Sequence, residues 1–244
     1  MMEVGIIKSY VILTGLLILV LANINIGLAY WPSFGVEYDS TNGLGVNRDS
    51  ATSFADRMVA DGWDKKFFWG DSNAWENDFK DVSKGGWDNS YADNVDMLFW
   101  EGHGSPDGLY FPAGTHNDDT ATYDDAIWGN LDLEWVFAHS CSVLADSHLS
   151  DWAYTACANG LHMFCSHATT VYACNAGDKL AQYLLSGMSI KDAWFKQHLD
   201  LQPSGVTAKV ICTQSTANDH IWNHGSVGPW PVPGDTWWQY WITK

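Results

Sequence analysis

Two nearly continuous apolar segments constrain the fold of this chain more than any other feature of its sequence. The first is NVDMLFWEG (94–102), and the second is LEWVFAHS (133–140). Segments of this length without polar alternation are typical of strands that helices cover on both faces, as in parallel sheets. Further strand-like and helix-like segments alternate along the chain, so we expect an α/β fold in which a mainly parallel sheet of about six strands lies between two helix layers.

The other predicted elements follow from hydrophobic periodicity and from Gly, Pro, Asn and Asp near their ends. The additional strands are 34–38, 65–70, 161–166 and 208–213, and the helices are 50–63, 73–81, 150–158, 176–185 and 189–199. Residues 105–130 predict a loop with a small hairpin at 109–111. The tail 218–244 is rich in Trp and Pro and predicts irregular structure. Residues 30–244 are therefore expected to form one domain.

Residues 1–29 have the composition of a secretory signal peptide. Lys8 precedes a 12-residue apolar segment, Val11–Ala22, and the small residues Gly27 and Ala29 mark a cleavage site after Ala29. The apolar segment is shorter than the roughly 20 residues that a membrane-spanning helix needs, although an uncleaved anchor is an alternative. We therefore expect an exported protein, secreted or at the cell surface, with no membrane contact after removal of the signal segment.

The charge balance argues against a nucleic acid as partner. Lys and Arg number 12 and Asp and Glu number 29, which gives a net charge of −17, and such a field repels a phosphate backbone. The same field suits a soluble extracellular protein, a basic substrate or a bound cation. No feature of the sequence indicates an oligomeric state.

The five cysteines are an odd number for an exported chain. All follow the signal segment, at Cys141, Cys157, Cys165, Cys174 and Cys212. At least one is therefore unpaired or pairs between chains. If one is a reactive thiol, the other four allow three disulfide pairings. In a reducing habitat all five would be free.

Two residues with catalytic chemistry directly follow the two apolar segments. His103 follows the first segment, and Cys141 follows the second. Since the carboxyl ends of parallel strands meet at one edge of a sheet, we expect an imidazole and a thiol to share one crevice there. A cysteine thiolate is a nucleophile, and a nearby imidazole can protonate the leaving amine and later activate water. The N–H groups of Gly104 and Cys141 are candidates for holding the oxyanion of the tetrahedral intermediate.

The paired motifs LFWEGHG and VFAHSC resemble those of the caspase, legumain, gingipain and metacaspase group of cysteine peptidases, clan CD. The resemblance implies a caspase-like three-layer sandwich. It also implies an endopeptidase that uses His103 and Cys141 as a catalytic dyad on a polypeptide substrate, with no required cofactor. A longer set of motifs, WENDF, DNVDMLFWEGHGS, LEWVFAHSC and NDHIWNHGSV, resembles an uncharacterised domain family of exported bacterial and archaeal proteins. That second resemblance implies no activity.

The residues around the cysteine depart from the active families of this group. Caspases have Gln-Ala-Cys-Arg-Gly or a relative of it, whereas this chain has HSCS at 139–142. The substrate preference is therefore not implied by the resemblance. Relatives often recognise a charged residue before the cleaved bond. For an acidic chain we expect cleavage after Arg or Lys, with Glu37, Asp39 and His139 as candidate substrate-binding residues.

A catalytically inactive domain of the same fold is the alternative function. Such a domain would bind a polymer or a surface partner through an acidic, Trp-rich face. Four tryptophans near the end of the chain favour this interpretation, namely Trp230, Trp237, Trp238 and Trp241.

The sequence predicts no metal centre, although calcium would fit an extracellular zymogen. Carboxylates crowd the loop between the two apolar segments, at Asp118, Asp119, Asp124 and Asp125, and calcium binds such oxygen ligands. The loop lacks the D-x-[DN]-x-[DN]-G calcium framework. His220 and His224 are four residues apart, but Asn223 and Gly225 disfavour a helix, so an exposed pair is expected. His116 is predicted to lie near the crevice.

Overall fold

A computed structural model describes residues 31–112, 119–232 and 235–244. The strands of these residues are β1 (Ser33–Tyr38), β2 (Asp64–Gly70), β3 (Met97–Glu101), β4 (His103–Ser105), β5 (Gly108–Tyr110), β6 (Thr120–Thr122), β7 (Trp135–His139), β8 (Met163–His167), β9 (Thr207–Thr213) and β10 (Trp237–Thr243). The α-helices are α1 (Asn47–Asp61), α2 (Leu149–Thr155), α3 (Ala176–Leu185) and α4 (Ile190–Leu201). None of these four helices is long and apolar enough to span a membrane. The predicted signal segment, His116 and Asp118 lie outside the described residues.

Seven strands form the central sheet, in the order β10-β9-β8-β7-β3-β1-β2. Strands β2, β1, β3, β7 and β8 run parallel to one another. Strand β9 runs antiparallel to β8, and β10 runs antiparallel to β9. Every residue of β3 and β7 is buried, as their apolar sequences require. The predicted α/β class with a mainly parallel sheet is confirmed, with seven strands rather than about six.

The seventh strand corrects the prediction for the tail. Residues 218–244 were expected to be irregular, but Trp237–Thr243 form β10 at the edge of the sheet. The segment WWQYWIT consists largely of aromatic and β-branched residues, which favour strands. Its Trp237 pairs with Thr213 and its Thr243 with Thr207. The prolines that suggested irregular structure all precede this strand.

Each face of the sheet has its own hydrophobic core. One face packs against α1, α3 and α4, and Phe54 and Trp194 are fully buried there. The other face packs against α2 and the long connections, where Trp128 and Trp152 are fully buried. Helices therefore lie on both faces, as the sequence predicted.

The predicted helix 73–81 is wrong. Short 3₁₀ turns occur instead between Asp71 and Asn94. The carboxylate of Glu37, at the end of β1, accepts the N–H of Trp75 (3.1 Å), and the carboxylate of Asp81 accepts the N–H of Ser83 (2.7 Å). Side-chain acceptors of this kind satisfy backbone N–H groups outside a helix and so compete with helix formation.

A small antiparallel sheet follows β3. Strands β4, β5 and β6 pair in the order β4-β5-β6, so the hairpin that was predicted at 109–111 is part of a three-stranded sheet. This small sheet begins at His103, directly after the end of β3. The chain therefore turns at Gly102 from the central sheet into the region where the candidate site lies.

Candidate functional site

The register between β3 and β7 brings the two predicted residues to the same edge of the sheet. Glu101, the last residue of β3, pairs with His139, the last residue of β7. His103 lies two residues beyond Glu101, and Cys141 lies two residues beyond His139. The imidazole and the thiol are thus carried by neighbouring parallel strands, beyond their carboxyl ends.

A tight turn after β7 fixes the position of Cys141. The hydroxyl of Ser140 donates to the carbonyl of Gly102 (2.9 Å), and the N–H of Ser142 donates to the carbonyl of Thr169 (3.1 Å). Ser142 has a φ of 59°, a left-handed conformation that is uncommon for residues other than glycine. The turn is therefore held to the chain after β3 on one side and to the chain after β8 on the other.

His103 and Cys141 line one cavity of about 90 Å³. This volume is well below the roughly 300–1,000 Å³ of sites for small organic ligands, and it suits a group of a few atoms, such as one amino-acid side chain. The remaining wall comes from the β1–α1 connection, the ends of β3 and β7, and the chain after β8, namely Leu44, Asn47, Gly102, His139, Val171 and Ala173.

The thiol of Cys141 is held by the backbone of Val171. The sulphur lies 3.5 Å from the Val171 carbonyl and accepts the Val171 N–H at 3.4 Å. No hydrogen bond joins Cys141 to His103 within the described part of the chain. Catalytic hydrogen bonds are often long without substrate and tighten when it binds, so this geometry is compatible with a thiol–imidazole pair.

Gly104 packs directly on the Cys141 turn. A Cβ atom added at Gly104 would lie 2.8 Å from Cγ2 of Val143, 2.9 Å from Cβ of Ser140 and 3.3 Å from the carbonyl of Cys141. The backbone of β4 can approach the turn this closely only because Gly104 has no side chain. The N–H of Cys141 has no acceptor among the described residues and remains a candidate oxyanion donor.

A buried carboxylate–imidazole pair lies beneath the cavity. Oε1 of Glu101 lies 3.3 Å from Nδ1 of His139, and both residues are buried. Burial raises the pKa of Glu101, while His139 lowers it. Burial also disfavours the charged form of His139, but contacts with Cys174 and Glu101 outweigh it and raise the His139 pKa to about 10. The contacts with Cys174 and Glu101 therefore favour the charged form of the His139 imidazole.

A second thiol contacts this pair. Sγ of Cys174 lies 3.9 Å from Nε2 of His139, and Nε2 of Gln202 donates to the same sulphur at 3.2 Å. The sequence named His139 as a substrate-binding candidate but did not identify Glu101, Cys174 or Gln202. The register between β3 and β7 would have revealed Glu101, whereas no sequence pattern marks Cys174 or Gln202.

The two acidic residues that were proposed to recognise a basic substrate do not line the cavity. Glu37 is fully buried in β1. Burial, with Asp78 nearby, raises the pKa of Glu37 well above the usual range. Asp39 is 3% exposed, and its carboxylate accepts the N–H and the hydroxyl of Thr41 (2.8 and 2.6 Å). The structure brings His103, Gly104, His139 and Cys141 together, but not Glu37 and Asp39.

All five cysteines are free. Cys157, Cys165 and Cys212 are buried in the cores, and burial raises the pKa of each. Within the described ranges, no group of three or more His, Cys, Asp or Glu side chains could hold a metal ion. The two tail histidines lie outside any helix, and Nε2 of His224 pairs with Asp61 (2.7 Å).

Two comparisons place the chain among known sequences. Residues 34–243 match a family described as a domain of unknown function (DUF6345), and this range includes all of β2–β10 and nearly all of β1. An uncharacterised protein of Archaeoglobus fulgidus is 32% identical over 129 residues, which cover 46% of this chain and 48% of that protein. The match thus spans about half the length of the archaeal relative. Because the family match covers most of the sequence, the chain belongs to the DUF6345 family.

Proposed function

We propose that this protein is an exported cysteine endopeptidase of the caspase-like type, with Cys141 as nucleophile and His103 as general acid and base. The observation that carries the proposal is the shared cavity: both residues line it, just beyond the ends of adjacent parallel strands. The resemblance of LFWEGHG and VFAHSC to clan CD motifs supports the same assignment.

In this mechanism the Cys141 sulphur attacks the carbonyl carbon of the cleaved peptide bond. The carbonyl oxygen becomes an oxyanion, which the unpaired N–H of Cys141 stabilises. When the C–N bond breaks, His103 transfers a proton to the leaving amine. The acyl group remains on sulphur as a thioester, and a water that His103 deprotonates then releases the carboxylic acid and the thiol.

The test uses two variants and a matched control. Cleavage of a pool of fluorogenic peptides should fall at least about 10³-fold in Cys141→Ala and about 10²- to 10⁴-fold in His103→Ala. The control is His224→Gln, because His224 pairs with Asp61, at the end of α1 opposite to the end where Asn47 lines the cavity. Control activity should equal that of the wild type. Cleavage by Cys141→Ala at the wild-type rate would rule out the cysteine mechanism.

The same peptide-cleavage assay measures the preference for the residue before the cleaved bond. The preference for Arg or Lys is supported by the net charge of −17, but no carboxylate of the described residues lines the cavity. Peptides with Arg, Lys, Asp or Ala before the cleaved bond should therefore be compared at equal concentration. Faster cleavage after Arg and Lys would support recognition by the overall field rather than by Glu37 or Asp39.

Polymer binding is a second candidate function, and one observation favours it. A groove of about 390 Å³ lies between the chain after β8 and the outer strands, and it is lined by Asp146, Ala168, Thr169, Thr207, Lys209, Gln239, Trp241 and Thr243. Trp241 is 62% exposed there. An exposed aromatic ring among hydroxyl and amide groups is typical of a ligand-binding surface.

Sedimentation with insoluble polysaccharides distinguishes the two functions. If the domain is a binding module, binding should persist in Cys141→Ala and should be lost in Trp241→Ala, and no peptide should be cleaved. Trp31→Ala is the matched control, because Trp31 is also exposed (73%) but does not line the groove. Failure of the wild type to sediment with any polysaccharide tested would contradict polysaccharide binding.

A further inference from the structure

The candidate site contains two sulphur atoms in different surroundings. The Cys141 sulphur hydrogen-bonds to the backbone of Val171, whereas the Cys174 sulphur contacts the side chains of His139 and Gln202. His139 in turn contacts Glu101. Glu101, His139 and Cys174 therefore place a carboxyl group, an imidazole and a thiol in contact one after another. Groups in this order activate cysteine nucleophiles.

The surroundings of Cys174 are electropositive at the sulphur. Nε2 of His139 lies 3.9 Å from the Cys174 sulphur, and the amide of Gln202 directs an N–H at the same atom. The Glu101 carboxyl group beside Nδ1 favours the charged form of the imidazole. Reactive cysteines lie in such partly exposed, electropositive places, whereas structural cysteines are buried among apolar groups. Cys174 is partly exposed, while Cys157, Cys165 and Cys212 are fully buried.

We propose that Cys174 is a second reactive thiol of the crevice and a modification site for small disulfides. The sulphur of Cys174 attacks one sulphur of a disulfide RS–SR, the S–S bond breaks, and a mixed disulfide Cys174–S–S–R forms. The leaving RS⁻ takes up the proton that Cys174 gives up, so the products are the modified protein and one RSH. The reaction oxidises Cys174 and reduces half of the disulfide, and a small thiol in excess reverses it.

Modification of Cys174 would act on residues 171–174, the segment in which the backbone of Val171 holds the Cys141 thiol. The carbonyl oxygen of the Gln202 amide accepts the Tyr172 N–H (3.0 Å), and its NH₂ group donates to the Tyr172 carbonyl (2.9 Å) and to the Cys174 sulphur. A group added to this sulphur must displace the side chain of Gln202 or the backbone of residues 171–174. The neighbouring Ala173 lines the cavity, so the added group reaches the wall of the candidate site.

The experiment treats the full-length chain with oxidised glutathione and maps mixed disulfides by mass spectrometry. In the Cys141→Ser variant, one glutathione should add at Cys174. The three buried cysteines are internal controls, and they should remain unmodified unless urea unfolds the chain. Rapid modification of a buried cysteine in the folded protein, or none at Cys174, would overturn the proposal.

Two further variants test the role of the neighbouring groups. The rate of modification should fall at least about tenfold in His139→Gln, since the activating cation is lost. If that buried substitution prevents folding, Gln202→Met is a second variant at a buried position. It removes the amide N–H at the Cys174 sulphur together with the two contacts to Tyr172, and it should also slow the reaction. An unchanged rate in a folded His139→Gln or Gln202→Met variant would contradict the proposal. This readout does not depend on peptidase activity, so it stands or fails independently of the proposed function.

Discussion

At the scale of single residues, Gly104 joins the two halves of the candidate site. A Cβ atom added at Gly104 would lie 2.8 Å from Val143 and 2.9 Å from Ser140, which leaves no room for a methyl group. We expect Gly104→Ala to lower the free energy of unfolding by about 1–3 kcal/mol, the usual cost of overpacking, and to separate His103 from Cys141. Urea unfolding measures the first effect, and peptide cleavage measures the second.

Gly45→Ala is the matched control for this prediction. An added Cβ at Gly45 meets no atom within 4 Å, so its urea midpoint should equal that of the wild type. A Gly104→Ala protein with the same midpoint as Gly45→Ala would show that β4 and the Cys141 turn are not packed as described.

The ionisation of His139 is also a property of single residues. Although burial opposes the charge, contacts with Cys174 and Glu101 raise the His139 pKa to about 10, so its ring signals in NMR spectra should not titrate between about pH 5 and pH 8. In Glu101→Gln the pKa should fall, and titration should move into that interval. His167, whose pKa burial lowers well below the usual value, should stay neutral in the same spectra. Titration of wild-type His139 near its ordinary value would contradict the ion pair.

At the scale of elements, a serine side chain caps the start of α4. The hydroxyl of Ser189 accepts the N–H of Asp192 (3.3 Å), and α4 leads directly to Gln202. Removing such a cap costs about 0.5–2 kcal/mol, so Ser189→Ala should lower the urea midpoint. Ser189→Asp keeps an acceptor and should retain the wild-type midpoint. Equal stability of the Ala and Asp variants would mean that the cap contributes nothing.

Elements with a strong local pattern were predictable from the sequence. Helix α3 begins and ends where the periodicity indicated, and the apolar segments became β3 and β7. The 3₁₀ turns after Asp71 were missed because their backbone N–H groups bond to distant carboxylates such as that of Glu37. Strand β10 was missed because nearby prolines masked its pattern.

The sequence predicted only those residues of the candidate site that lie at the end of a strand or directly after it. His103 and Cys141 each follow an apolar segment, and this position alone brings them to one cavity. The pairing of Glu101 with His139 depends on the register between two strands, which the sequence does not specify. Cys174 and Gln202 lie in an irregular segment and at a helix end, and they meet His139 only through tertiary packing.

At the scale of the whole molecule, buried carboxyl groups should make stability fall as pH rises. Burial, with Asp81 nearby, raises the pKa of Asp88 to about 7. Burial also raises the pKa of Asp93 to about 7 and, with Asp96 and Asp132, that of Glu134 to about 10. The folded state therefore holds protons that the unfolded state has released, and the stabilisation is lost between about pH 4 and the folded-state pKa values.

Urea unfolding at two pH values tests this expectation. The free energy of unfolding should be larger at about pH 5 than at about pH 8 by a few kcal/mol, since one pKa unit corresponds to about 1.4 kcal/mol. Asp88→Asn, which has no charge at either pH, should show a smaller difference. Greater stability at the higher pH would contradict the assignment of neutral buried carboxyl groups.

The order of strands in the sheet also determines when the site assembles. Strands β3 and β7 are neighbours in space, but the whole segment 102–134 lies between them in the chain. Pairing of such distant segments is slow compared with helix formation, since a long loop must close first. The imidazole of His103 and the thiol of Cys141 become neighbours only when the middle of the sheet has formed, so the cavity that they share is absent from the unfolded chain.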